Sequence, residues 1–338
     1  MLVIAAFSLD LPAYACARYR ITGPASRLGG RVALRWAARS DGRDYAIDAS
    51  AMDGADLILF QRHFPMEATW PLVERALASG TPVIYETDDD FLHVPPGHPM
   101  AERLAPGARY VAELAARADL VTVSTRELAR SLSQAAREVR VLPNRLDERL
   151  WGALPAARPG GPVRIAYAGT PSRSGDFEAV APALARLKAR HGNAVETLFL
   201  GFDPGPALAD RALPFREDYA AYARELRALA PDIALAPLAD TAFNRCKSAA
   251  KWLEYSAAGA AGIFSDAPAY APVRHGVTGL KAAAEGEWED ALEQLVGDDS
   301  LRRSLAGAAR AEVLGRWGLA KGAEAFYAAW RSAARGRA

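Results

Sequence analysis

The sequence predicts two doubly wound α/β domains, each a parallel sheet flanked by helices. Three observations carry that prediction. Short apolar runs alternate with longer amphipathic ones along the chain, the pattern of successive βα units. The stretch GALPAARPGGP at 152–162 is rich in Gly, Pro and Ala, lacks periodicity and divides the series in two. At 338 residues the chain is long for one core and about right for two.

In the first half the apolar runs place strands at Leu2–Ala6, Asp56–Phe60, Pro82–Glu86, Leu120–Val123 and Val139–Leu142. Helical periodicity appears at Met66–Ser79, Ala108–Arg117 and Arg126–Gln134, with Thr125 as the N-cap of the last. After the break, strands are expected at Val163–Ala168, Val195–Leu200, Ile233–Ala236 and Gly262–Phe264. Helices are expected at Asp176–Arg190, Phe215–Leu229, Lys247–Ala258 and from Glu285 onward. The last stretch, Leu319–Arg335, reads as an amphipathic capping helix carrying Phe326, Tyr327 and Trp330. The expected organisation is a first domain over 1–151, a linker over 152–162 and a second domain over 163–318.

Half of the residues are apolar, about a quarter are charged, and the net charge is +1, so the overall field argues neither for nor against a polyanionic partner; no nucleic-acid partner is expected. Cys16 and Cys246 match no metal spacing, and a reducing cytoplasm is the simplest compartment. MLVIAAFSLD reads as a buried strand, not a leader peptide. No apolar run approaches the ~20 residues a membrane helix needs, which limits membrane contact to the periphery. Arg27, Arg31, Arg35 and Arg39 recur every fourth residue; on a helix they make a basic stripe, suited to an anionic membrane or simply to solvent.

Three segments hold residues suited to chemistry. In FNRCKSAAKWLEY (243–255), a helix would bring Lys247, Lys251 and Glu254 within roughly 60° of one another. Positive charge with helix N–H groups suits a diphosphate, and a carboxylate accepts from ribose hydroxyls. The same spacing also fits a solvated face with local charge pairs. In IAYAGTPSRSGD (165–176) a strand runs through Gly169 and Thr170 into a loop with Ser172 and Arg173 and then a helix. Such a junction can cradle phosphates, or be an ordinary tight turn. Asp88, Asp89 and Asp90 end the strand PVIYET, where ligands of open α/β sheets bind. They suit a metal ion, action on an acceptor hydroxyl, or helix capping; Pro95 and Pro96 argue against a long following helix.

Taken together, ARYRITGP (17–24), VIYETDDDF (83–91), DLVTVST (119–125), VRVLPNRLD (139–147), IAYAGTPS (165–172) and FNRCKSAAKWLEY, with Gly259 and Ser265-Asp266, resemble the family 4 glycosyltransferases, particularly bacterial members of polysaccharide and lipopolysaccharide pathways. The resemblance spans nearly the whole chain. It implies a GT-B fold with two Rossmann-like domains about a central cleft, the second holding the donor and the first the acceptor. It implies retention of anomeric configuration, no obligatory metal and a terminal helix that packs back on the first domain. Glu254 matches the second of two family glutamates, which implies ribose binding. Cys246 stands at the first, leaving Asn244, Lys247 and Ser248 nearby to meet the sugar. Thr170 and Asp176 stand where the family commonly has Arg and Lys, and Asp88 aligns with the usual histidine.

The expected activity is transfer of a sugar from a nucleotide diphosphate sugar to a hydroxyl of a saccharide, lipid-linked or protein acceptor. No cofactor is expected, and the place of action is the cytoplasm or the inner face of its membrane. Lys247, Ser248 and Arg173 would neutralise charge on the leaving diphosphate, and Asp88 would orient the acceptor or take its proton. Gly169, Thr170, Ser172, Asn244, Lys251 and Glu254 would bind the donor, with Phe215 and Tyr219 beside the base. Tyr19, Arg20 and Asp89 would lie on the acceptor side. Rival readings are a nucleotide-sugar epimerase, a metal-dependent transferase with a single nucleotide-binding domain, and a silent nucleotide-sugar-binding or scaffold protein.

Overall fold

The computed structural model describes residues 1–40, 45–154, 160–170 and 174–336. They form two compact units. The first comprises Met1–Arg145, Thr241–Ser248 and Leu319–Ala338; the second comprises Leu146–Asp240 and Ala249–Gly318.

The strands of the first unit are β1 (Leu2–Phe7), β2 (Val32–Trp36), β3 (Ala38–Ser40), β4 (Tyr45–Ile47), β5 (Leu57–Gln61), β6 (Val83–Thr87), β7 (Leu120–Val123) and β8 (Val139–Val141). Six form one parallel sheet in the order β2-β1-β5-β6-β7-β8, while β3 and β4 pair antiparallel outside it. β5 (LILFQ) and β6 (VIYET) are buried along their whole length because helices cover both faces. Alternate side chains therefore feed two cores. Phe7, Ile58, Phe60 and Tyr85 pack with Val73, Val111 and Leu114 on one face. Ile4, Leu57, Leu59 and Ile84 meet Phe326 and Trp330 of the helix Leu319–Ala334 on the other.

The second unit repeats the plan with β9 (Val163–Ala168), β10 (Val195–Leu200), β11 (Arg211–Leu213), β12 (Ile233–Ala236), β13 (Ala261–Ser265) and β14 (Leu280–Ala282). All pair in parallel, in the order β11-β10-β9-β12-β13-β14. Ile165, Phe199, Leu235 and Ile263 pack under Leu184, Leu187, Trp288 and Leu292. A second complete sheet departs from the single-domain transferase reading. Among the described residues no helix is long and apolar enough to cross a membrane.

Three sequence-based expectations are corrected. The arginines do not share a helix: Arg27 ends the helix Gly23–Arg27, Arg31 lies in a 3-10 turn, Arg35 is in β2 and Arg39 in β3. Gly29, at φ 56°, breaks the helix, and the partly buried run VALRW then forms a strand at the sheet edge. The helix expected over Asp176–Arg190 is two, Ser174–Phe177 and Ala181–His191, the second begun by Pro182 in its first turn. The helix expected from Lys247 starts at Ala250. Ahead of it Thr241 caps a separate short helix, Ala242–Arg245, by accepting from the Asn244 N–H, so Lys247 and Ser248 sit in the connection.

Candidate functional site

Parallel strands end on a common edge, and that edge gathers polar residues in each unit. In the first unit it gathers Asp10 beyond β1, Arg62 beyond β5 and Asp88–Asp90 beyond β6. Arg62 has a left-handed backbone, φ 57°. Neighbouring β6 holds it there: the Arg62 N–H donates to Glu86 O at 2.7 Å, and the Tyr85 hydroxyl donates to Arg62 O at 2.9 Å. A strained non-glycine residue held from two sides is a feature that functional edges concentrate.

The Arg62 guanidinium is caged. Nη1 donates to Asp88 Oδ1, to Asp89 Oδ2 at 3.1 Å and to Cys16 Sγ at 3.1 Å, while Nε lies 3.2 Å from Asp10 Oδ2. Its plane rests over Phe91 at 5.1 Å. Burial works against the cation, but Asp88, Cys16, Asp10 and Asp89 outweigh it and hold its pKa well above the ordinary value. Burial raises the Asp10 pKa despite Arg62, and burial pushes the Cys16 thiol up. Next to it, His63 is pushed down to about 3 by burial and by the Arg62 charge, so its imidazole is neutral.

Lys247 joins the same cluster. Its Nζ donates to Asp89 Oδ1 at 2.6 Å and lies over the Phe243 ring at 4.4 Å. The segment Thr241–Ser248 is pinned around it: the Thr125 hydroxyl donates to Cys246 O at 2.8 Å, and Asn144 Nδ2 donates to Ser248 Oγ at 2.9 Å. Cys246 is buried in the first unit's core, and burial, then Asp90, pushes its thiol up to about 12. Asp90 is a structural tie, accepting from Ser131 Oγ at 2.6 Å with His93 Nδ1 at 3.0 Å. Among the described residues no group of three or more His, Cys, Asp or Glu side chains is arranged to hold a metal ion.

The acceptor-side residues fall differently. Tyr19 and Arg20 lie in a π-helical turn, Arg18–Thr22, and both are buried. The Arg20 guanidinium forks onto Glu86 at 2.7 and 3.1 Å, reaches Asn144 Oδ1 at 3.0 Å and also donates to Leu142 O. A guanidinium enclosed by four such contacts ties β6 to the chain after β8; this corrects the expectation that Arg20 faces an acceptor. Asp89 does stand on the strand-end edge, between Arg62 and Lys247.

In the second unit the edge begins at Gly169 and Thr170, directly after β9. Pro171, Ser172 and Arg173 lie outside the described residues. Gly201, after β10, has φ 81°, and a Cβ there would stand 2.3 Å from Gly169 O, so the two strand ends approach backbone to backbone. The Tyr255 hydroxyl secures this edge by accepting from Ala168 N–H at 2.9 Å and donating to Leu235 O at 3.2 Å. Asp176, placed where the family has a cation, instead accepts from Ala239 N–H at 2.9 Å.

Glu254 is 3% exposed on the helix Ala250–Ala257. Its Oε2 accepts from the Tyr222 hydroxyl at 2.8 Å and from Lys251 Nζ at 2.8 Å, and Lys251 Nζ lies 2.9 Å from the same hydroxyl. Lys251 and Glu254 thus share a face as the spacing foretold, whereas Lys247 is in the other unit. Near the ends of β10 and β11 a mostly apolar recess of about 510 Å³ is lined by Gly201, Phe202, Ala212, Leu213, Pro214 and Phe215, with Asp203 as its charged member. Phe215 is 39% exposed there. Tyr219 is buried, its ring 5.9 Å from Tyr222 and 6.1 Å from Trp151, so the expectation that it flanks a base is corrected. Asn244 is buried in the short helix after Thr241.

Sequence reasoning missed Arg62, Tyr222 and Tyr255. Arg62 carried a usable signal, a charged residue at the end of an apolar run, the same signal that singled out Asp88. Tyr222 and Tyr255 carried none, since their hydroxyl partners are 32 and 87 residues away in sequence.

No protein-family model matches the chain, and no curated protein does. Solved structures do. Sucrose-phosphate synthase from Thermosynechococcus elongatus superposes with TM-score 0.70 at 13% identity, covering 98% of this chain and 99% of that one. Anabaena HepE in complex with UDP and glucose gives TM-score 0.70 at 15% identity, covering 98% and 100%. The UDP-forming α,α-trehalose-phosphate synthase from Burkholderia vietnamiensis gives 0.66 at 12%, covering 98% and 99%. The fold that these likenesses and the two six-stranded parallel sheets show is GT-B, with two Rossmann-like α/β domains.

Proposed function

We propose that the chain is a glycosyltransferase that moves a sugar, with retention and without an obligatory metal, from a nucleotide diphosphate sugar to a hydroxyl of a saccharide, lipid-linked or protein acceptor. The observation that carries this reading is the Glu254 carboxylate, buried and oriented by Tyr222 and Lys251 in a unit whose strand-end edge bears the close Gly169–Gly201 approach. An oriented carboxylate suits the vicinal hydroxyls of a ribose. Exposed Phe215 beside a mostly apolar recess offers a face for a base. That HepE was solved with UDP and glucose, and that the Burkholderia enzyme is UDP-forming, supports a uridine diphosphate donor.

In this reading Lys247, with Ser248 and Arg173, neutralises the charge that grows on the leaving diphosphate. Asp88, engaged by Arg62, orients the acceptor hydroxyl. Gly169, Thr170 and Ser172 approach the donor phosphates with backbone N–H groups.

The experiment is a thermal-shift series with UDP, GDP and ADP, followed by product analysis with the matching sugar nucleotide and candidate acceptors. A ligand at 100 times its Kd stabilises by about 2.7 kcal/mol, which a melting curve resolves. Stabilisation by one diphosphate and acceptor-dependent product support the proposal. A flat response to all three overturns it.

A further inference from the structure

We propose that Tyr222 is a positioning residue of the nucleotide site: together with Lys251 it clamps the Glu254 carboxylate in the orientation that reads the ribose hydroxyls. The inference rests on the donor-binding reading above and adds a residue and a division of labour to it.

The clamp is built from two helices. Tyr222 lies on the helix Tyr219–Leu229, which Asp218 caps by accepting from Ala220 and Ala221 N–H at 2.7 and 3.1 Å. Three residues apart on one face, the Tyr219 and Tyr222 rings stack at 27°, and Trp151 meets Tyr222 edge-on at 6.2 Å. Ring packing thus fixes where the Tyr222 hydroxyl points. It points at Glu254 Oε2, 2.8 Å away, on the helix Ala250–Ala257.

Lys251, one turn before Glu254, closes the triangle. Its ammonium reaches both Glu254 Oε2 and the Tyr222 oxygen, and lies 4.9 Å over the Tyr222 ring. Lys251 is therefore a holder of the carboxylate, not a free charge for a phosphate. The two donors differ in kind. Burial and the neighbouring Glu254 charge raise the Tyr222 pKa well above its ordinary value, so the phenol stays protonated and always donates. The Lys251 side chain is 31% exposed, while that of Glu254 is 4% exposed.

A buried carboxylate needs such donors to stay charged and in place. Burial alone would be served by any pair of donors in any geometry. Here both converge on one oxygen, which sets the plane of the carboxylate and the direction of the rest of the group. That is the arrangement required to present a fixed acceptor to a diol.

The test compares ribo- and 2′-deoxynucleotides. Kd is measured calorimetrically for UDP, GDP and ADP, and for dUDP, dGDP and dADP, with the wild-type protein, Tyr222→Phe and Lys251→Met. Tyr222→Phe keeps the ring packing and removes only the hydroxyl. For the diphosphate that binds best, the wild type should prefer the ribo form by roughly tenfold, one charge-assisted hydrogen bond. Both variants should weaken the ribo form and leave the deoxy form nearly unchanged, collapsing the ratio toward one. An unchanged ratio in both variants overturns the inference, and so does equal weakening of both forms, which is what loss of mere structural support gives. A wild type that binds the diphosphate without discriminating ribo from deoxy also overturns it, while leaving the proposed function standing. Failure of all six nucleotides to bind the wild type removes the proposed function and the inference together.

Discussion

Asp89 Oδ1 and Lys247 Nζ are 2.6 Å apart, joining residues 158 positions apart in sequence into one ion pair within the first unit. The other Asp89 oxygen accepts from Arg62 at 3.1 Å, so one carboxylate bridges two cations. A phosphate approaching Lys247 would meet an ammonium already shared with Asp89.

Lys247→Met removes one of the two cations and leaves Asp89 with Arg62. Both partners are largely buried, at 11% and 18% side-chain exposure, so the loss should cost roughly 1–3 kcal/mol, below the cost of orphaning a fully buried charge. Denaturant titration checks the stability. Sugar transfer should fall by about 10²-fold, the usual consequence of removing a group that stabilises developing charge. Transfer at the wild-type rate would remove Lys247 from the reaction.

Arg62→Gln leaves Asp10, Asp88 and Asp89 facing one another near Cys16 with no guanidinium between them. The sign follows from proton binding. Burial already raises the Asp10 pKa, so Asp10 binds protons more tightly folded than unfolded, and its contribution to stability declines as pH rises above the ordinary carboxylate value of 3.8. Losing Arg62 removes an opposing influence and steepens that decline. The stability gap between wild type and variant, followed by urea unfolding, should be widest near pH 7 and narrow toward pH 4. A gap independent of pH would mean that the cage contributes by packing alone.

Arg20 and Glu86 test whether the π-helical turn is structural. Arg20→Met leaves Glu86 buried without its fork and should cost about 3–5 kcal/mol. Adding Glu86→Gln removes the stranded charge and should recover part of the loss. A stable, fully folded Arg20→Met protein that loses activity only would instead return Arg20 to the acceptor.

Gly201→Ala forces a Cβ into a left-handed residue and against Gly169 O, 2.3 Å away. The conformation alone costs about 1–2 kcal/mol, and the close approach adds to it. The melting temperature should drop, and nucleotide binding should weaken by more than the stability loss explains, because the ends of β9 and β10 must separate. Unaltered binding in the folded variant would detach this edge from the nucleotide.

How much of this was legible in the sequence depended on burial. β7, β9, β10 and β12 match their expected runs residue for residue, since strands covered on both faces are mostly apolar, with Thr122, Arg164, Glu196 and Thr197 as the polar exceptions. β2, β11 and β14 escaped notice because edge strands are short and partly exposed; β11 is Arg-Ala-Leu, with two of three residues exposed. The Thr125 cap was readable, since capping is local. Asp88, Asp89, Lys247, Lys251 and Glu254 stood out as chemistry, and the Lys251–Glu254 pair was readable from spacing; the pairing of Lys247 with Asp89 and the partners Arg62 and Tyr222 were not. Lys247 was assigned to the helix of Glu254 because helical spacing ignores Thr241, whose cap starts and so fixes an earlier, separate turn.

The helix Leu319–Ala334 covers Ile4, Leu57, Leu59 and Ile84, yet it is synthesised after every strand of both sheets. On a ribosome, then, one apolar face of the first sheet stays uncovered until the second unit has been made, and so does the place of Lys247 beside Asp89 until residue 247 emerges. Early strands must wait for late residues, which makes the first unit the slower to finish and the one most exposed to wrong partners during synthesis.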